Sequence, residues 1–466
     1  MTASPIGTDV DRVEGRLKVT GGAVYAGDHI LAELPGLAHG YLVTSTIGLG
    51  TITAMDTTQA VAAPGVLAVY TPFNSLKLFA YGGDQNDEFT PPLQDPQVRY
   101  RGQVIGLVVA ETFEQARDAA GLVITSYAAR QPSASFADAL PSAPPPGKPS
   151  GFLAPGVTSI DDVLAAGPVS LSATYTTSIQ HHHAMEPHAT VAAWTGDHVT
   201  LYTVTQGTPL VVSRMAHTLG VDAAKIHVVN PYVGGAFGGK WGNWAHTPLT
   251  AAAARSLGRP VKTLLTREQV FTVVGHRPQT SHTVSLAAGT DGVLTALKHD
   301  AASSKSASAN FSENAASVSL ITYAAPNIQT FRRTVLLDLP ATTIMRAPAE
   351  ANGSFALECA MDELAFKVGA DPLELRRRNY ASTVPGSGQP WSGKHLDECY
   401  RVGAEKFRWA ERNPVPRAHV DGDWLVGLGM GTATYHASRG DASVKVRLRA
   451  DGTAVVSGTA SDSGTG

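Results

Sequence analysis

The stretch from residue 225 to residue 241, KIHVVNPYVGGAFGGKW, constrains this chain more than any other. Four of the six residues from 234 to 239 are glycine, and one large aromatic, Phe237, stands among them. The run 226–229 reads as a strand feeding a loop, and the Ala/Leu-rich segment 245–257 reads as a helix leaving it. Glycine lets the backbone take positive φ and lets a ligand approach the main chain closely. Consecutive N–H groups in such a loop form an anion-binding concavity near a helix N-terminus. The expected ligand is therefore a phosphate-bearing molecule, with Phe237 held against it by a stiff turn.

Residues 234–240 satisfy the spacing G-x-x-x-x-G-K of a phosphate-binding loop, but Trp241 stands where the magnesium-binding hydroxyl belongs. A plain strand–loop turn that needs glycine for geometry alone is a second reading. The choice between them depends on the rest of the chain.

At 466 residues there is room for two or three domains with full cores. Basic and acidic residues number 36 and 39 and are mixed along the chain, so neither a nucleic-acid surface nor a polybasic membrane anchor is indicated. No apolar run reaches the ~20 residues of a membrane span, and residues 1–11 lack the apolar core of a signal peptide. By its own sequence the chain is expected in the cytoplasm, or in the periplasm if exported with a partner. Two cysteines, Cys359 and Cys399, cannot hold an iron–sulfur cluster, which takes about four ligands. Buried free thiols are expected.

The class expected is α+β. Residues 11–130 read as a small α/β domain. It has strand-like runs at 24–34 and 37–43, a fully apolar strand at 104–110, and a helix 113–122 capped by Thr112. Residues 131–155 hold seven prolines and read as an extended linker that buries little. The remainder, 156–466, alternates strands and helices. Gln206, between a strand and a helix, suits a pocket mouth or a solvated loop equally. Arg267-Glu268 reads as the start of a turn, and 287–297 as a hairpin on Asp291-Gly292. A helix over 353–368 carries an apolar stripe of Phe355, Leu357, Met361, Leu364 and Ala365, with Glu358 outside it. Arg376, Arg377 and Arg378 read as a solvated or subunit-facing edge. The end of the sequence, 461–466, falls inside a third glycine run and reads as interrupted.

The segment 180–188, QHHHAMEPH, invites a zinc reading in which His181 and His183 share a strand face and Glu186 adds an oxygen. No second ligand cluster follows at a usable spacing, so a polar pocket rim or subunit contact is the competing reading.

Taken together, the segments 11–26, 108–117, 185–189, 233–240 (VGGAFGGK), 345–348 (MRAP) and 357–365 (LECAMDELA) occur in an order that resembles the molybdopterin-binding subunits of the xanthine dehydrogenase/aldehyde oxidase family. The likeness is nearest to the bacterial three-subunit periplasmic aldehyde oxidoreductases. The resemblance implies an α/β hammerhead domain followed by the first part of a molybdenum cofactor-binding domain. It implies oxidation of aldehydes to carboxylic acids with water as oxygen source. It also implies a molybdenum–molybdopterin cofactor, in cytosine dinucleotide form, held by its pterin and not by protein side chains. The 2Fe-2S clusters and FAD would sit on an iron–sulfur subunit and an FAD subunit. By the same likeness Gln206 binds the metal's oxo ligand, and Gly234, Gly235, Ala236, Phe237 and Gly238 line the cofactor. Phe237 would stack near substrate and Arg346 would steady a developing oxyanion; pairing of Arg346 with Glu350 or Glu358 is the plainer reading. Trp241, where purine-oxidising relatives carry a glutamate, implies an aromatic aldehyde. The family's catalytic glutamate has no counterpart in these 466 residues. A separate C-terminal polypeptide could supply it. The alternative is a catalytically incompetent remnant or an assembly module of the same fold.

Overall fold

A computed structural model describes residues 8–29, 32–81, 88, 90–435 and 440–458. The chain opens with a short helix α1 (Gly15–Val19), strands β1 (Ala38–Thr44) and β2 (Gly50–Asp56), and helix α2 (Thr58–Ala62). Strands β3 (Val66–Tyr70), β4 (Gln97–Val98) and β5 (Val104–Ala110) follow, then helix α3 (Phe113–Ala120) and strand β6 (Ile124–Ala129). All seven residues of β5 are buried, as its unbroken apolar run requires. Thr112 caps α3 reciprocally with Gln115, and Ala119 and Ala120 of the helix bury against Val69 and Val108 of the sheet.

The proline-rich segment is not a bare linker. It forms helix α4 (Phe136–Ala139) and strand β7 (Ser150–Phe152), and Phe136 is buried against Ala302, Val335 and Leu337. Ala139, Leu140 and Ala143 pack beside it, β7 pairs with the later strand Ile328–Leu337, and the Ser133 N–H donates to Asp338, so the prolines do not prevent docking.

Helix α5 (Ile160–Ala166), strands β8 (Val169–Thr177), β9 (Ala189–Thr195) and β10 (His198–Thr203), helix α6 (Thr208–Leu219) and strand β11 (Ile226–Val229) lead to the glycine loop. Beyond it come helix α7 (His246–Leu257), strand β12 (Val261–Leu264), helix α8 (Arg267–Val273), and strands β13 (Thr280–Ala288), β14 (Leu294–Ser306) and β15 (Ile328–Leu337). Helices α9 (Glu350–Val368), α10 (Pro372–Arg378) and α11 (Leu396–Phe407) complete the body.

Two large sheets carry the core. The first has the order β11-β10-β9-β12-β1-β5-β3 and runs from the loop-bearing region into the N-terminal region, where β12 and β1 pair in parallel from Ala38↔Val261 to Gly40↔Thr263. The second has the order β7-β15-β14-β13-β8, with α9 packed on β8 and β13. Leu357, Met361, Leu364 and Ala365 of α9 are fully buried there, whereas Phe355 is 48% exposed and lies off the stripe.

Several expectations fail locally. No strand forms within the described part of 24–34; the Asp28 carboxylate accepts the Tyr25 N–H and folds a single 3-10 turn over Ala26–Asp28. Arg267-Glu268 opens α8, because Thr266 and Gln269 form a capping box and Val270 and Val273 bury. Glu358 and Arg376 are both buried, joined by an ion pair of 2.7 Å. Both cysteines are free, but Cys399 is exposed. Residues 461–466 lie outside the described residues.

Candidate cofactor-binding loop

Strand β11 delivers the chain into the loop, and α7 carries it away. Two of the loop's positions show why glycine is required. Gly238 has φ +103°, and a Cβ there would sit 2.4 Å from the Ile344 carbonyl oxygen; at Gly234 it would sit 2.5 Å from Glu186 Cβ. The loop thus packs backbone-tight against 344–346, the segment that carries Arg346. Phe237 takes φ +56°, a conformation unfavourable for a bulky side chain, and its ring is 41% exposed. Ala236 has no positive φ, so its methyl is accommodated without strain, and the residue is completely buried.

The sequence-predicted residues do come together. Gln206 is half-buried, and its side-chain oxygen accepts the N–H groups of Gly238 (3.0 Å) and Lys240 (3.3 Å). With that oxygen engaged, what Gln206 offers a ligand is its NH₂, a donor suited to an oxo group. The Arg346 N–H donates to the Phe237 carbonyl at 2.8 Å. The Arg346 side chain is exposed and has no ion-pair partner among the described residues, while Glu358 is taken by Arg376, Tyr323 and the Thr432 N–H. Pairing of Arg346 with Glu358 therefore does not occur.

The backbone donors divide sharply. Gly234 N–H is taken by Glu186 (2.7 Å) and Gly238 N–H by Gln206, so neither is available to a ligand. The N–H groups of Gly235, Ala236 and Phe237 meet no acceptor among the described residues. Three consecutive unpaired donors, one on a fully buried residue, are a costly arrangement unless an acceptor arrives from outside. A molybdopterin group rich in oxygen acceptors fits that cradle.

Lys240 does not reach out to a phosphate. Its ammonium is fully buried, 2.7 Å from Glu186 Oε2. Burial pushes its pKa down, and the Glu186 carboxylate opposes that shift. The phosphate-loop reading fails on this contact.

In the histidine segment, His182, Glu186 and His188 are likewise committed elsewhere. Residues 181–183 form no strand. His188 lies on the Gly239 carbonyl (2.9 Å) and His182 on the Ile344 carbonyl (2.7 Å). His181 and His276 line a groove of about 670 Å³ between the N-terminal region and α8. Among the described residues no group of three His, Cys, Asp or Glu side chains is spaced to hold a metal ion.

Sequence reading missed what supports the loop. Arg277 is buried and donates to the Arg346 carbonyl and, at 3.5 Å, to Asn352. Glu313 accepts from the Ala349 N–H (2.5 Å) and Asn352 (3.2 Å), and burial raises its pKa. Ala347 and Ala349, beside Arg346, both have positive φ. The single available signal was Lys240 itself, since a lysine buried in a glycine loop needs a carboxylate.

The molybdopterin cofactor-binding domain model matches residues 152–380, and the aldehyde oxidase and xanthine dehydrogenase a/b hammerhead domain model matches residues 20–131. The chain is 40% identical over 462 residues to the aldehyde oxidoreductase molybdenum-binding subunit PaoC of Escherichia coli K12, covering 99% of this chain and 62% of that protein. It is 28% identical to the putative xanthine dehydrogenase molybdenum-binding subunit XdhA of the same organism, covering 98% of this chain and 63% of that protein. The structure superposes on the aldehyde oxidoreductase of Desulfovibrio gigas with a TM-score of 0.78 at 25% identity, covering 96% of this chain and 51% of that one. The chain thus spans about three fifths of the length of these curated relatives. It belongs to the molybdenum-binding subunits of the xanthine dehydrogenase/aldehyde oxidase family, with a hammerhead domain joined to a molybdopterin cofactor-binding domain.

Proposed function

We propose that this chain is part of a molybdenum hydroxylase that oxidises aldehydes, aromatic ones by preference, to carboxylic acids with water as the oxygen source. The observation that carries the reading is the row of amides at Gly235, Ala236 and Phe237 that are unpaired among the described residues, flanked by the Gln206 amide and the exposed Arg346 guanidinium. When bound, a molybdenum–pterin group supplies the oxygen-transfer and two-electron chemistry. The chain's own residues bind and orient. Loop amides and Gln206 donate to acceptor oxygens of the cofactor. The exposed ring of Phe237 and the 37% exposed indole of Trp241 offer flat apolar surface to an aromatic substrate. Arg346 stabilises negative charge developing on the substrate oxygen. A proton acceptor for the reaction comes from outside these 466 residues, on a further polypeptide stretch.

In this reading the cofactor has its cytosine dinucleotide form, and 2Fe-2S clusters and FAD on an iron–sulfur subunit and an FAD subunit would accept its electrons. The regions follow as hammerhead 11–130, proline-rich connection 131–155 and cofactor domain from 156 onward. Among the described residues no helix is long and apolar enough to cross a membrane. A remnant or assembly module is the less favoured reading, since the aldehyde oxidoreductase relative matches across 99% of the chain.

The test is metal analysis of the chain purified with its native partners, followed by oxidation of an aromatic aldehyde in ¹⁸O-labelled water. Stoichiometric molybdenum and a labelled carboxylate support the reading. A molybdenum-loaded complex that oxidises no aldehyde sinks it.

A further inference from the structure

Segment 180–188 and the glycine loop are tied together at four points. Glu186 N–H donates to the Gly234 carbonyl at 3.0 Å, and Gly234 N–H returns to Glu186 Oε2 at 2.7 Å. Lys240 Nζ donates to the same oxygen at 2.7 Å. His188 Nε2 lies 2.9 Å from the Gly239 carbonyl, which Trp244 Nε1 also contacts at 2.7 Å. One carboxylate oxygen therefore gathers the first amide of the loop and the side chain of its last residue. The loop between them is closed into a ring, Gln206 holds the amides of Gly238 and Lys240, and the amides left without an acceptor among the described residues are those of Gly235, Ala236 and Phe237.

We propose that Glu186 is a positioning residue: its carboxylate clasps the loop shut, so that the three free amides and Phe237 are preformed for an anionic or oxo-bearing ligand. Three observations separate this from a plain structural ion pair. The pair is buried, with the Lys240 ammonium fully covered and the Glu186 side chain 9% exposed, so it carries a desolvation cost that a surface pair lacks. Glu186 Oε2 takes two charge-assisted contacts while Oε1 is buried with no partner, so the carboxylate is placed for the loop and not for its own solvation. The strained φ of Phe237 persists only if its surroundings over-determine it, and the clasp supplies that constraint from both ends. The identity of the ligand rests on the functional reading above; the clasp itself does not.

The test uses the full chain purified with its native partners, as wild type, as Glu186→Gln, and as the double variant Glu186→Gln with Lys240→Met. Amide hydrogen exchange is followed in peptides covering 233–241, with α7 and β9 as internal controls, and molybdenum is measured in parallel. In both variants exchange across 233–241 accelerates about tenfold or more while the controls keep their protection. Molybdenum occupancy falls several-fold in step. Loop exchange equal to wild type in either folded variant overturns the proposal. So does loss of protection in the controls of both variants, which would make Glu186 a residue of the core. The double variant carries no buried lone charge, so it tests the clasp even if the single variant does not fold. Wild type free of molybdenum sinks the functional reading and leaves the exchange result to decide the clasp.

Discussion

At the scale of single residues, support and chemistry separate at Arg346. Its backbone is locked, with N–H on Phe237 and carbonyl on Arg277, while its guanidinium holds nothing among the described residues. Arg346→Ala should therefore leave the unfolding free energy within about 0.5 kcal/mol of wild type, yet lower kcat/KM for an aldehyde by roughly 10²–10³. Arg346→Lys should recover only part, because a point charge does not reproduce the planar fork. Equal activity in all three, measured on molybdenum-loaded complexes, would remove Arg346 from the chemistry. Gln206 predicts the opposite pattern. Its oxygen holds two loop amides, so Gln206→Ala should accelerate exchange at Gly238 and Lys240 before any kinetic effect is considered; unchanged exchange there refutes it. That Gln206, Phe237 and Arg346 lie at one loop was legible because the order of motifs groups them. Arg277, Glu313 and Glu186 were not, because a buried charge and an exposed one have the same letter in the sequence.

At the scale of elements, periodicity located most strands and helices and misjudged charged positions. The hairpin β13–β14, the fully buried β5 and the apolar stripe of α9 follow from pattern alone. The pair Glu358–Arg376 does not. Glu358 accepts from Arg376 Nε (2.7 Å), Tyr323 (2.6 Å) and the Thr432 N–H (2.8 Å), and Arg376 also reaches Asp362 (2.7 Å). This joins α9, α10 and the glycine-rich run after α11, an arrangement no local window reveals. Arg376→Met should cost about 3–5 kcal/mol, since it strands a buried carboxylate. Leu357→Ala on the same helix should cost about 2–5 kcal/mol through the cavity it leaves. Urea unfolding distinguishes the two: the loss in Arg376→Met should shrink when Glu358→Gln is added, and the loss in Leu357→Ala should not. If Arg376→Met unfolds at the wild-type midpoint, the ion pair does not hold these elements together.

At the scale of the whole molecule, one seven-stranded sheet binds the two regions that the sequence divides, and the bidentate contact of Arg259 with Glu111 (3.0 and 2.8 Å) ties them again at the surface. The junction was illegible because β12 and β1 lie far apart in sequence and pair in parallel, which leaves no local trace. The interior this creates is rich in buried histidine, and acid should therefore weaken the fold. Burial lowers the pKa of His182 and His282 to about 4 and of His246 and His276 to about 3. Burial also holds His188 and His299 well below the ordinary imidazole range. In the unfolded chain these imidazoles titrate near their ordinary value of about 6.5. Between about 6.5 and 3 the unfolded chain binds more protons than the folded one, so stability falls as pH drops through that window and is complete above it. Glu88 and Glu313, whose carboxyls burial raises, act with the opposite sign, but two such groups do not offset six histidines. The urea midpoint should be level above about pH 7 and fall progressively from about pH 6 to 4. His282 and His299, hydrogen-bonded to each other at 2.8 Å inside the second sheet, should carry part of that slope. Replacing both by asparagine should flatten the profile even while it lowers the midpoint at pH 7.5. A midpoint that stays level from pH 7.5 to 5 would mean that these imidazoles gain protons without leaving the fold.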